Sequence, residues 1–238
     1  MTEATKQALN GLRDLSTLKW YVIPLLAIVF YIYTKEIKDA RRTHNWDAVL
    51  AGLTVFGLDF FNETWNGWVM VHTGRSALWT APGETALRTT VGWNIEIMFM
   101  FLLLGIVYYH SLSETKDKKI LGINEKWAIA IGYTVVCVAV ECALNQAGLL
   151  VWEYPFWNFS FAGIWLILLI GYFHFFVGAI IMISLKKMRS KLTLLGVIYA
   201  VPINHERHCG HTGVEILSRH IKRTVARPFL FVLCLLGY

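Results

Sequence analysis

Acidic side chains stand inside apolar stretches of this 238-residue chain, and each has an asparagine close by. They are Asp59 and Glu63 beside Asn62 and Asn66, Glu96 beside Asn94, and Glu141 beside Asn145. A carboxyl group in an apolar site can be held protonated and act as a general acid, while a neighbouring carboxylate steadies developing charge. We therefore predict one polar site, whose catalytic residues are Asp59, Glu63, Glu96 and Glu141.

Substrate-binding residues are expected on the same helix faces as these acids and in the connectors above them. The predicted set is Asn62, Trp65, Asn66, Trp93, Asn94, Asn145, Trp152, Trp157 and His174. An alternative is that Glu and Asn only bond across helices, at about 0.6 kcal/mol per contact. Four acids without a cationic partner favour a functional site, because Ser, Thr or Gly would pack helices at a lower desolvation cost.

The composition indicates what kind of protein positions these acids. Hydrophobic residues make up 56% of the chain and charged residues 16%, against about 45–50% and about 25% in soluble domains. Apolar segments cover approximately 20–34, 46–72, 89–112, 127–153 and 161–185, and a sixth starts at Lys191 and stops near Asn204. The fold class predicted is an all-α polytopic membrane helix bundle, with five spans plus a sixth that is truncated or altered near residue 204.

The depth of each acid decides whether they can share a site. With alternating span directions, Glu63, Glu96 and Glu141 lie about 14, 11 and 18 Å below the outer ends of their helices. His174 lies about 20 Å down by the same rise. The sequence therefore predicts a single layer of acids in the outer half of the bilayer. Above it, connectors 73–88 and 152–158 are expected to form either an aromatic lid or ordinary interfacial turns.

The basic residues indicate how the chain is oriented in the membrane. Connectors 35–45, 113–126 and 186–191 each hold four Lys or Arg, and the intervening connectors hold fewer. Because Lys and Arg collect on the cytoplasmic side, we expect the N-terminus outside, in the plasma (inner) membrane. The formal charge of +6 is thus dispersed in short clusters, and no nucleic-acid partner is expected.

Partners and cofactors follow from the same composition. We expect contact with membrane lipid, a small apolar molecule or an ion as ligand, and a homo-oligomer as a candidate assembly. The four cysteines form neither a disulfide framework nor a CxxC pair. We predict no cofactor and no metal; a di-metal centre ranks lowest because the Glu-x-x-His spacing of bundle di-iron sites is missing.

Three functions fit these features. The first is an acid–base enzyme on a lipid-like or isoprenoid substrate, with Glu63 as the acid. In size, and in a Glu near the end of the second span, the chain is similar to small multi-pass terpene cyclases, although their N-x-x-W-E order is replaced here by Asn62, Glu63 and Trp65. The alternatives are a proton- or cation-coupled transporter or channel, and a non-catalytic subunit of a membrane complex. Against transport, spans two to five contain no Pro and no evident broken helix.

The chain divides into a polar, amphipathic segment at 1–18, a transmembrane bundle at 19–203 and an atypical basic, His-rich tail at 204–238. Leu9, Leu12, Leu15 and Leu18 either lay one apolar stripe of the first segment on the bilayer surface or belong to a frayed amphipathic lead-in to the first span. In the tail, His205, His208, Cys209 and His211 have spacings that could hold zinc or copper.

A frameshift in the source reading frame is a second explanation of the tail. Codons for residues 203–208, read one nucleotide later, can spell Leu-Ile-Met-Asn-Val-Ile, which would complete the sixth helix. Resequencing the gene tests this explanation, and we expect a shifted frame. An unbroken read that gives the same tail would contradict it.

Overall fold

The computed structural model is mostly helical and describes residues 1–113 and 118–209, with backbone alone for 205–209. Within that part, the helices are α1 (Glu3–Asn10), α2 (Val22–Thr43), α3 (Asp47–Thr73), α4 (Ile95–His110), α5 (Glu125–Gln146), α6 (Phe161–Leu166), α7 (His174–Ser184) and α8 (Met188–Cys209). A π-helical segment, Ile167–Phe173, joins α6 to α7 without a break, and Leu15–Thr17 forms a short 3-10 turn. The paired strands are β1 (Trp79–Thr80) with β4 (Val151–Trp152), and β2 (Lys119–Ile120) with β3 (Ile123–Asn124).

Helix ends differ from the predicted spans where capping residues intervene. The third span was predicted from residue 89, but α4 begins at Ile95 because the Asn94 side chain accepts the Ile97 N–H at 2.9 Å. The fourth was predicted to run to 153, but α5 ends at Gln146, and Gly148 follows with φ of +71°. The sixth was predicted to stop near Asn204, whereas the α8 backbone continues through that residue to Cys209.

Helix α3 is the central element, because α2, α4, α7 and α8 all pack against it. Glycines allow the closest approach, between α3 and α4. A Cβ at Gly105 would lie 2.7 Å from the Gly52 Cα and would also strike the Ala51 carbonyl. Gly132 on α5, in contrast, has nothing within 4 Å of an added Cβ.

A cap covers one end of the bundle and consists of α1, residues 74–94 and residues 147–160. Strands β1 and β4 join its two connectors in antiparallel register, with Trp79 opposite Trp152. In the N-terminal segment, Thr5 and Ala8 of α1 are fully buried, with Ala8 packed against the 74–94 connector. Leu15 and Leu18, which belong to the predicted surface stripe, are 67% and 53% exposed.

Arg88 orders the 74–94 connector and joins it to the segment that follows α1. Its guanidinium is buried and donates to the carbonyls of Ala81 at 2.9 Å and Gly83 at 2.5 Å, and its own carbonyl accepts the Arg13 N–H at 2.7 Å. Burial lowers the pKa of the Arg88 side chain, and the nearby charge of Glu96 opposes that shift. A loop rich in polar backbone groups is thereby ordered above the helices.

Contacts between acidic and basic side chains tie the helix ends on the side opposite the cap. His110 contacts Glu36 at 3.0 Å, Lys118 contacts Glu125 at 2.8 Å, and Lys191 pairs with Asp47. These contacts join α2 to α4 and α8 to α3, and fix the turn before α5.

The length and apolar composition of each helix can be compared with the five or six predicted crossings of the membrane. Among the described residues, two helical stretches are long and apolar enough to cross a bilayer, Glu125–Gln146 and Phe161–Ser184. Ile95–His110 is apolar but has only 16 residues. Helical composition alone thus supports fewer crossings than the sequence pattern predicts.

Replacing Gly105 with Ala is expected to destabilise the bundle by about 1–3 kcal/mol, because the new methyl group has no space between α3 and α4. Gly132→Ala is the matched control and should cause no loss of stability. Thermal unfolding of both variants in detergent micelles measures the difference. Equal melting temperatures for the two variants would contradict the close approach of α3 and α4.

Candidate functional site

A cavity of about 230 Å³ lies beneath the cap, between α3, α4, α5 and the π-helical segment. Three acids line it: Asp59 and Glu63 from α3 and Glu141 from α5. Its other polar groups belong to Asn62, Trp79, Tyr133, Cys137, Trp157 and Tyr172, and the remaining lining is Gly92, Ile97, Met100, Phe101, Leu104, Val136, Val140, Leu144, Leu150, Gly171 and Phe175. The lining contains no Lys, Arg or His among the described residues, so the acids face an apolar space without a cation.

Two tryptophans from the paired strands hold the two glutamates. Trp79 Nε1 donates to Glu63 Oε1 at 2.5 Å, and Trp152 Nε1 donates to Glu141 Oε1 at 2.8 Å. Since Trp79 and Trp152 are opposite each other in the β1–β4 pair, their side chains leave the same face of the ribbon. The strand register therefore places one indole N–H against Glu63 on α3 and the other against Glu141 on α5.

Glu63 has donors on both oxygens, because Oε2 also accepts the Thr90 hydroxyl at 2.7 Å. Glu141 faces the Tyr172 hydroxyl in addition to Trp152. Such neutral donors stabilise a carboxylate where no cation is present. Asp59 differs: it is 6% exposed, and its Oδ2 has no hydrogen-bond partner among the described residues.

The π-helical segment shapes one wall of the cavity. Gly171 and Tyr172 belong to it and both line the cavity. Asn62 reaches across from α3 and donates to the Gly171 carbonyl at 3.4 Å. No residue pattern predicts this π-helical segment, although the span as a whole continues without a break from Phe161 to Ser184, as expected. π-helical turns often occur at functional sites.

Glu96 is separate from the other three acids. Its carboxylate accepts the hydroxyls of Tyr21 and Thr85, both at 2.5 Å, and the Ala86 N–H at 3.0 Å. The prediction placed it in the acid layer because span three was started too early. As the second residue of α4, Glu96 lies at the helix end and ties α2 and the cap together.

Predicted binding residues fall into two groups. Asn62 and Trp157 line the cavity, and Trp152 contacts Glu141 from above. The others do not line the cavity: Asn66, Asn94 and Asn145 bond to backbone, Trp65 is 38% exposed, and His174 is absent from the lining. Trp93 stacks between Phe56 and Phe60, and its indole faces the Asp59 carboxyl group.

Asn66 shows why an amide near an acid need not bind a ligand. The side chain is fully buried; its oxygen accepts the Leu78 N–H at 2.8 Å, and its nitrogen donates to the Trp79 carbonyl at 2.9 Å. These bonds fix β1 and so aim the Trp79 indole at Glu63. Asn66 positions the cap above the acids.

Several cavity residues were not in the predicted set. Trp79 lies in connector 73–88, which was predicted only to form a lid or a turn, and its link to Glu63 depends on the fold of residues 74–94. Tyr172 and Cys137 lie on different helices from Glu63, and nothing in their local sequence pattern connects them with it. The described residues include no group of three or more His, Cys, Asp or Glu side chains arranged to hold a metal ion. The proposed tail ligands His205, His208, Cys209 and His211 lie outside the side chains that the structure describes.

Comparison with known proteins identifies the family of this chain. A family model described as an uncharacterized membrane protein family matches residues 2–207. This chain belongs to that family. An uncharacterized protein of Archaeoglobus fulgidus is 46% identical over 178 residues, which cover 75% of this chain and 82% of that protein. No solved structure matches this family member. The prediction of a mostly helical membrane protein is therefore confirmed.

The Trp79–Glu63 bond is expected to contribute to the stability of this membrane protein. Trp79→Phe keeps the ring but removes the N–H, and should lower the free energy of unfolding by about 1–3 kcal/mol, because Glu63 loses a donor. In a Glu63→Leu background the same change should cost much less, since no buried oxygen is then left unpaired. Chemical denaturation in mixed micelles, followed by circular dichroism, measures both differences.

Trp20→Phe is the control for ring substitution, because Trp20 is 79% exposed. A Trp79→Phe cost that is the same with Glu63 and with Leu at that position would show that the indole N–H does not stabilise the carboxylate.

Proposed function

We propose that this family member crosses the membrane several times, with its N-terminus and cap outside, in the plasma (inner) membrane. Large apolar side chains are exposed on most of the long helices, among them Phe30, Val136, Leu169, Ile181 and Val197. A soluble protein rarely leaves so much apolar surface uncovered. The basic connectors lie at the end opposite the cap, as expected for a cytoplasmic face.

Within the cavity we propose acid–base catalysis on an apolar, lipid-like or isoprenoid substrate. The observation that carries this proposal is the convergence of Asp59, Glu63 and Glu141 on one largely apolar cavity whose lining, in the part of the chain that the structure describes, includes no basic side chain. An apolar lining suits a hydrocarbon chain, while the acids supply proton transfer and charge stabilisation. The aromatic rings of Trp79, Trp157 and Tyr172 add faces that favour a positively charged intermediate.

We give the acids different roles on the basis of their hydrogen bonds. Glu63 and Glu141 accept from fixed N–H donors and act as anions. Asp59, which faces the Trp93 indole and whose Oδ2 makes no close hydrogen bond among the described residues, takes the role of proton donor, which the sequence had suggested for Glu63. Asp59 protonates one carbon of a double bond, and the cation at the other carbon faces the two glutamates. Loss of a proton from an adjacent carbon to the Asp59 carboxylate completes a shift of the double bond and restores the acid.

Transport of a proton or cation is the second candidate. The π-helical segment Ile167–Phe173 supports it, because π-helical turns often occur at functional sites and this one lies beside the buried acids. A cap that bonds directly to the acids favours an enclosed reaction site over a path through the protein. A non-catalytic role in a larger complex is the third alternative.

Solvent deuterium tests the catalytic proposal. The purified protein in lipid nanodiscs is incubated in D2O with a panel of polyprenyl alcohols and polyprenyl hydrocarbons, and the lipids are washed with H2O so that only carbon-bound deuterium remains. We expect the wild type to label at least one of them, and Asp59→Asn to lower the rate by about 100-fold or more. Mass spectrometry of the extracted lipids measures the label.

Glu84→Gln serves as the control, because Glu84 is a cap carboxylate whose side chain is 92% exposed. Equal labelling by wild type and Asp59→Asn would contradict the proposal. Ion flux in proteoliposomes without carbon-bound deuterium would support transport instead.

A further inference from the structure

The cavity is covered on the side of the cap. Trp157 and Leu150 line it there and are 2% and 7% exposed. Trp157 stacks on Trp79 with ring centroids 5.6 Å apart, and a Cβ added at Gly92 would lie 2.6 Å from the Trp79 ring. Aromatic rings and backbone therefore pack tightly between the cavity and the water above the cap.

The exposed part of the lining lies on two helices. Of the described residues that line the cavity, the exposed ones are Met100 on α4 and Val136 and Val140 on α5, at 45%, 60% and 47%. All three side chains are apolar. Because these residues belong both to the cavity wall and to the outer surface of the bundle, the cavity opens between α4 and α5.

The packing of the two helices explains this opening. Helix α4 packs closely on α3 but touches α5 far less. Helix α5 instead packs mainly on the π-helical segment Ile167–Phe173. Since α4 and α5 rest on different partners, the wall between them is incomplete.

The opening lies at the depth of lipid chains. Met100 is five residues from Ile95 at the cap end of α4, and Val140 is six residues from Gln146 at the cap end of α5. At the rise of an α-helix these positions are about 8 and 9 Å from the helix ends. Half of the hydrocarbon core of a bilayer is about 15 Å thick. The opening therefore faces the lipid chains of the leaflet on the cap side.

The size of the cavity limits how much of a ligand it can hold. Its volume of about 230 Å³ exceeds the approximately 150 Å³ of an apolar cavity that admits benzene in another protein. By that ratio it holds roughly nine carbon atoms. A longer chain must leave part of its length outside, and an apolar rim in contact with the bilayer accommodates that part without exposing it to water.

We propose that the cavity takes up a segment of a hydrocarbon chain from a lipid of the cap-side leaflet, through the opening between α4 and α5. The chain passes Met100 and Val140 and reaches the apolar lining around the acids, while the rest of the lipid stays in the bilayer. Entry from the membrane spares an apolar substrate a passage through water. This inference deepens the proposed function and rests on it for the position of α4 and α5 in the bilayer.

Carbene photolabelling of the full chain in nanodiscs tests the inference. Two lipid probes carry a diazirine within the chain: a straight-chain phospholipid and a polyprenyl alcohol of similar chain length. We expect at least one probe to label Phe101 and Phe175, which line the cavity and are 4% and 1% exposed. Phe176 is fully buried but does not line the cavity, and should stay unlabelled. Residue-resolved mass spectrometry measures the label, and the probe that gives it identifies the type of chain.

Variants at the rim identify the route. Val140→Trp should lower the labelling of Phe101 and Phe175 by about tenfold, because an indole ring and a lipid chain cannot occupy the opening together. Val135→Trp is the matched control and should leave the labelling unchanged, because Val135 is 51% exposed on the same helix and does not line the cavity. If Val140→Trp is not monodisperse, Met100→Trp narrows the opening from the side of α4.

Label from both probes that is confined to exposed residues would overturn the inference. Cavity labelling that neither rim variant reduces, or that Val135→Trp reduces equally, would also overturn it. The two proposals fail separately. Photolabelling of the cavity without incorporation of deuterium would reject catalysis alone. Deuterium incorporation that is unchanged in the rim variants, with no photolabel in the cavity, would reject the opening alone.

Discussion

The cost of placing carboxylates in an apolar interior governs this structure. Asp59, Glu63 and Glu141 face a cavity whose described lining offers no cation, so neutral donors must take the place of water. Those donors come from the cap: Trp79 and Thr90 bind Glu63, and Trp152 binds Glu141. The cap therefore supplies the hydrogen-bond donors that the buried acids need, and the acids in turn hold the cap in place.

The cap itself depends on buried polar contacts that link one connector to another. Asn66 fixes β1, and the β1–β4 register sets both indoles on one face. Arg88 orders the 74–94 connector by binding its carbonyl groups. Helix α1 packs on the same connector. An amphipathic N-terminal segment is therefore a structural part of the cap above the site.

Much of the helix layout could be predicted from apolar runs, because a helix of the required length in an apolar solvent needs little else. The predicted 46–72 and 161–185 lie within one or two residues of α3 and of Phe161–Ser184. Boundaries failed where a single side chain ends a helix, as Asn94 does for α4. That error moved Glu96 into the acid layer, although its carboxylate binds Tyr21 and Thr85 at the helix end.

The sequence by itself determined that acids and amides occur inside apolar segments, and that basic connectors alternate, since composition and spacing are local properties. Only the tertiary structure decided which acids meet, which amides serve the backbone, and that Trp79 and Trp157 complete the site. Those outcomes depend on strand register, on the π-helical segment and on the packing around α3. Residues far apart in the chain set these features jointly, and no local pattern encodes such contacts.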